Sequence, residues 1–130
     1  MTNAITAAQK GLADALTAAK LKTYSELPEK ASPPFRYVLN GGVTFGTQVG
    51  SWRVVLRVVC VARPGTNAVT LDRLMDMVVE LLDAVGGLDG YELAADTVDE
   101  PAEYAVNGQL TLAAAVNVLA RVSRAQMKER

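Results

Sequence analysis

The sequence predicts an α+β fold in which a mostly antiparallel β-sheet carries two helices packed on one face. Three observations predict it. Residues 52–63 (WRVVLRVVCVAR) are dense in valine and hold no acid, proline or glycine, the composition of a strand near the centre of a sheet. Residues 109–121 (QLTLAAAVNVLAR) alternate with period two and follow Asn107-Gly108, a hairpin signal when it lies between apolar runs. Two other segments, 3–21 and 71–85, repeat apolar residues at helical spacing. Two-residue hairpins make neighbouring strands antiparallel, and a helix with one apolar stripe buries it against a sheet.

In chain order, residues 3–21 are rich in alanine and leucine, both good helix formers. Ile5, Ala8, Leu12, Ala15, Leu16 and Ala19 fall on one stripe, Thr2 or Asn3 is placed to cap the start, and Gly11 weakens the middle. Residues 23–34 contain Pro28, Pro33 and Pro34, which remove backbone donors and mark an extended link. Residues 35–40 (FRYVLN) read as a short strand with Phe35, Tyr37 and Leu39 on one face, ended by a Gly41-Gly42 turn. The glycine-rich 41–50 lacks the Lys-Ser or Lys-Thr of a phosphate loop and precedes a strand, so it reads as a hairpin connection able to order against a neighbouring subunit.

On the central strand, Trp52, Val54, Leu56, Val58, Cys60 and Ala62 share one apolar face. Arg53, Val55, Arg57, Val59, Val61 and Arg63 share the other, which calls for a partner that is partly apolar and partly acidic. A turn at 63–67 leads to Thr70, read as the cap of a helix over 71–85 closed by Gly86-Gly87. Its apolar face is Leu71, Leu74, Met75, Val78, Leu81, Leu82 and Val85, with Val79 beside it. Residues 91–98 alternate weakly, 99–103 form an acidic bend, 104–106 resume a strand, and 109–121 close the sheet. Residues 123–130 read as a frayed tail of a single domain spanning 1–130.

Length and composition bound the function. A chain of 130 residues is one domain, and its net charge of -1 argues against bulk attraction to nucleic acid. With no histidine, serine–histidine and cysteine–histidine nucleophile pairs are excluded, and one cysteine cannot build a zinc site. Cys60 reads as an inert buried thiol. No apolar segment reaches membrane-spanning length and no secretion signal opens the chain, so a soluble protein of a reducing compartment is expected, without catalysis, metal or cofactor.

Charge is segregated. From 35 to 71 the charged residues are Arg36, Arg53, Arg57 and Arg63, whereas from 72 to 103 ten acids stand against Arg73. Asp72, Asp76, Glu80 and Asp83 form one acidic stripe on the second helix. Like charges at this spacing weaken a helix slightly, so the stripe is either solvated or set against a basic surface or an acidic channel. Oppositely charged regions on copies of one chain attract head to tail, and a ring results if the rotation closes. The competing expectation is that the same acids and arginines pair inside one monomer.

The pattern as a whole resembles the tail terminator (tail-completion) proteins of long-tailed bacteriophages. The resemblance lies in the length, the opening helix AITAAQKGLADALTAAK, the proline-rich link before FRYVLNGG, the strand SWRVVLRVVCVARP, the helix TLDRLMDMVVELLDAV and the closing QLTLAAAVNVLARV. It implies a virion protein that forms a ring, usually a hexamer, at the head-proximal end of the tail tube. Such a ring ends tube polymerisation and presents a surface to the head's connector, so the implied partners are further copies, the tube protein and the head-completion or connector protein. DNA would pass through the lumen without specific binding, which an acidic wall favours by repelling phosphates. On this resemblance Asp72, Asp76, Glu80 and Asp83 face the channel or the next subunit, and Arg53, Arg57 and Arg63 lie at the subunit contact. Gly42, Phe45 and Gln48 of the glycine-rich loop, with Asp99, Glu100 and Glu103 of the acidic bend, are candidates for touching tube or connector. Another neck or head-completion protein is the alternative within this class, and a small-ligand-binding α+β domain the alternative outside it.

Overall fold

A computed structural model describes residues 4–25, 33–45, 51–88, 90–98, 101–106 and 109–123. In chain order these form α1 (Ala4–Ala18), β1 (Phe35–Phe45), β2 (Ser51–Val61), α2 (Asn67–Gly86), β3 (Tyr91–Val98), β4 (Ala102–Val106) and β5 (Gln109–Ser123). The strands make one open sheet with the path β1-β2-β5-β3, and β4 also pairs with β5. All four strand pairings are antiparallel. Ala113 pairs with Val61 of β2 on one side and Ala102 of β4 on the other, so β3 and β4 share the edge of β5 away from β2. This is the expected α+β architecture.

One cluster holds helices and sheet together. Leu12 and Leu16 of α1 and Leu74, Val78, Leu81 and Val85 of α2 meet Val38, Val54, Leu56, Val58, Cys60, Val116 and Val118. Both helices therefore cover the same face, the one carrying Val54, Leu56, Val58 and Cys60 of β2 and Ala114, Val116, Val118 and Ala120 of β5. Each fully buried leucine or valine contributes about 1.5–3 kcal/mol, so this layer supplies most of the fold's stability. On the opposite face Phe35, Tyr37, Val59, Val61, Ala113 and Ala115 form a smaller cluster, with Tyr24 packed against it. Tyr24 also docks on the edge of β1: its N–H donates to the Arg36 carbonyl at 2.9 Å and its carbonyl accepts from the Val38 N–H at 3.0 Å.

The ends of α1 and α2 differ from the sequence expectation for local reasons. α1 stops at Ala18 because the chain turns left-handed at Lys20 (φ 71°). Lys20 N–H then bonds the Thr17 carbonyl at 3.0 Å and Leu21 N–H the Leu16 carbonyl at 2.9 Å, the paired bonds of a Schellman motif. Ala19, expected on the apolar stripe, is exposed, while Ala13 is buried in its place. Gly11 has a packing reason, since a Cβ there would stand 3.0 Å from the Tyr91 hydroxyl. α2 begins at Asn67 and not at 71. Its cap is Thr66, whose hydroxyl accepts from the Val69 N–H at 3.4 Å, and Thr70 is a buried first-turn residue. The apolar face of α2 is rotated accordingly: Met77 is buried, whereas Leu71 and Val79 are exposed.

The strands are longer than their sequence suggests. β1 runs through Gly41-Gly42, which form a bulge and not a turn: Asn40 pairs with Leu56 and Gly42 with Val55, leaving Gly41 extra. β4 starts at Ala102, so Glu103 lies in a strand opposite Leu112 instead of in a bend. β3 pairs at Leu93 with Val118 and next at Val98 with Val116, a large irregularity that explains the weak alternation of that stretch. β5 continues to Ser123, paired with Ser51, past the expected end at Arg121. The cap at Thr2 or Asn3, the tail from 124 and the Asn107-Gly108 turn lie outside the described residues, although Val106 pairs with Gln109 as a two-residue hairpin requires.

Candidate functional site

The sheet sorts the charges by face. Arg53 and Arg57 alternate with core residues of β2 and so stand on the face away from the helices, both half-buried. Arg53 Nη1 lies 3.1 Å from Glu92 Oε1 on β3, an ion pair that reaches across β5. Arg57 Nη1 donates to Asn117 Oδ1 at 3.4 Å, its cross-strand partner on β5. Arg63 follows the end of β2 and is exposed. The three arginines placed together by sequence are thus divided: two share the sheet face, each with a partner in its own chain, and the third stands at the rim.

On α2 the stripe is also divided. Asp72, Asp76 and Asp83 are exposed, on the side of the helix opposite Leu74, Leu81 and Val85. Among the described residues none of the three has an ion-pair partner. Glu80 instead approaches Arg36, Oε1 to Nη2 at 3.8 Å. Of the candidate contact residues, Gly42 and Phe45 belong to β1 near its bulge and Glu103 is exposed on β4, while Gln48, Asp99 and Glu100 lie outside the described residues.

Arg36 is the charged residue that sequence reasoning left without a role. It alternates with Val38 onto the helix-covered face and is 8% exposed. Its Nη2 donates to the Met77 carbonyl of α2 at 3.0 Å, while its buried Nε has no partner among the described residues. The available signal was an arginine two residues before a core valine on a short apolar strand.

Cys60 sits opposite Arg36 in the β1–β2 register. Burial pushes its thiol up from 9.0 to about 11, against the opposing pull of the Arg36 guanidinium. The thiol therefore stays protonated and unreactive at neutral pH. The unfolded chain releases this proton near pH 9 and the folded chain near 11, so the associated stability is full below the first value and is lost as pH rises through the second. A two-unit shift is worth about 3 kcal/mol. Denaturant unfolding from pH 8 to 11 should show the wild type losing about 2 kcal/mol relative to Cys60→Ala, most of that amount; parallel curves would refute the assignment.

Among the described residues no cluster of three or more cysteine, aspartate or glutamate side chains could hold a metal ion. A cleft beside Gly90, Tyr91, Glu92 and Leu119 measures about 170 Å³, less than the roughly 300–1,000 Å³ of a small-molecule site. No helix is long and apolar enough to cross a membrane among the described residues. No protein-family model matches the chain, and no curated protein is significantly similar to it.

Proposed function

We propose that the chain is a structural subunit of a long-tailed phage virion, a tail terminator that assembles as a ring, usually of six copies, on the head-proximal end of the tail tube. The ring ends tube growth, offers its other surface to the connector and lets DNA through; the protein performs no catalysis. One observation carries this reading. Exposed carboxylates Asp72, Asp76 and Asp83 cover the outer side of the helical layer, while Arg53 and Arg57 stand on the opposite face of the sheet. A domain with unlike charge on two sides favours head-to-tail contact over two-fold pairing. A carboxylate row also suits a channel through which phosphates slide without being held.

The intrachain partners of Arg53 and Arg57 temper the energy such contacts supply, since half-exposed pairs are worth about 0–1 kcal/mol. Charge here sets orientation, and apolar contact must supply affinity. Arg57→Glu is expected to leave the fold intact and to reduce assembly, read as oligomer mass by light scattering and as rings by electron microscopy. An unchanged ring removes Arg57 from the interface. A neck or head-completion subunit shares these surfaces and is told apart by which end of purified tail tubes the protein caps.

A further inference from the structure

β5 outruns the sheet. Its pairing with β2 stops at Ala113, but its pairing with β4 continues through Leu112, Thr111 and Leu110 to Gln109. Ala62 still holds β5 beyond that point, its N–H bonding the Leu112 carbonyl at 3.0 Å and its carbonyl accepting from the buried Thr111 hydroxyl at 2.6 Å, so only the tip of the β4–β5 hairpin, from Leu110, projects as a two-stranded arm. Leu110 has the parity of Leu112 and Ala114, which pack on the helical side, yet it is 67% exposed. Ala105, its cross-strand partner, is exposed, and so is Glu103 on the same face. A two-stranded ribbon with a bare apolar face is marginal by itself in water. The helices that shelter Leu112 and Ala114 on this sheet face leave Leu110 uncovered.

The other side of the sheet carries the complementary chemistry. Leu39, 38% exposed, is paired with Arg57, and half-buried Val55 is the next residue on that face of β2. This surface is apolar and basic; the arm is apolar and acidic. The two cannot meet within one chain, because Leu110 lies on the helical side and Leu39 on the opposite side of the same sheet.

We infer that the arm face formed by Glu103, Ala105 and Leu110 docks on the Leu39, Val55 and Arg57 surface of a second copy. The contact joins two different surfaces, so it propagates head to tail and gives a ring where the rotation closes. The inference rests on the assembly reading above and adds the segment that makes the joint. Leu110 supplies buried apolar area, and Glu103 against Arg57 fixes the register.

The full chain carrying Leu110→Asp, Glu103→Lys, or Glu103→Lys with Arg57→Glu is compared with wild type by sedimentation over a wide concentration range, with thermal melts as the folding control. Both substituted arm positions are exposed, so the melts should stay close to wild type. Leu110→Asp and Glu103→Lys should each weaken self-association at least about tenfold, and the double charge reversal should recover much of the loss from Glu103→Lys. Wild-type assembly that survives both arm variants overturns the arm contact and leaves the ring reading in place. Weakening without recovery in the charge-reversed pair overturns the pairing with Arg57. A wild-type protein that stays monomeric to its solubility limit, with and without tube ends, overturns both readings.

Discussion

Replacing Leu56 by alanine lowers the unfolding free energy by about 3–4 kcal/mol and the melting temperature by about 10 °C. Leu56 is fully buried at the middle of β2, with Asn40 of β1 and Val118 of β5 as its strand neighbours. Helices close over this face of the sheet, so the leucine side chain lies inside the single cluster that joins both layers. Strands held on both sides cannot collapse into a cavity, and the cost includes the void as well as the lost transfer energy. Val79→Ala is the control. Val79 is 62% exposed on α2, and its truncation should change stability by less than about 0.5 kcal/mol. Equal effects in urea unfolding would show that the helical layer does not seat as described.

Arg36 gives the second large effect, and its sign depends on the replacement. Arg36→Ala should cost about 2–4 kcal/mol, because it empties a buried site and removes the donor to the Met77 carbonyl. Arg36→Met should fall within about 1 kcal/mol of wild type. Its guanidinium is poorly compensated: Nε lacks a partner among the described residues, and Glu80 is 3.8 Å away with a half-exposed side chain. Replacing an incompletely paired buried charge by an apolar chain of similar volume is often neutral or stabilising. The methionine variant should also raise the Cys60 thiol further, since the guanidinium lowers it. If methionine proves as costly as alanine in chemical denaturation, the bond to α2 outweighs the desolvation of the charge.

Much of this architecture was legible because burial repeats with simple periods. Val54, Leu56, Val58 and Cys60 of β2 face the helices, as alternation required, and Leu74, Val78, Leu81 and Val85 fall where a helical period puts them. The errors cluster where two periods or two caps competed. Thr66 and Thr70 are both plausible caps, and only the first bond, Thr70 N–H to the Thr66 carbonyl at 2.8 Å, shows where the helix begins. Gly41-Gly42 reads as a turn until β2 is seen to run alongside it, at which point the extra residue becomes a bulge.

The charged surfaces were less legible. Sequence grouped Arg53, Arg57 and Arg63 and aligned four carboxylates on α2, and both groupings follow from spacing alone. The partners Glu92, Asn117 and Arg36 come from strands distant in the chain, so no local pattern announces them. The projecting arm is likewise invisible to pattern, since Leu110 continues the alternation of a buried strand and is exposed because the helical layer that covers Leu112 does not reach it.

By itself the sequence determined the class of fold, the strand that lies inside it, the apolar faces of both helices in outline and the separation of acid from base along the chain. These follow from side-chain period and composition, which act over a few residues. Tertiary structure decided which edge β3 and β4 occupy, which charges are already engaged within the chain, and that one hairpin stands clear of the layer above it. Those depend on where strands of unequal length meet, and contacts between residues far apart in sequence leave no local trace.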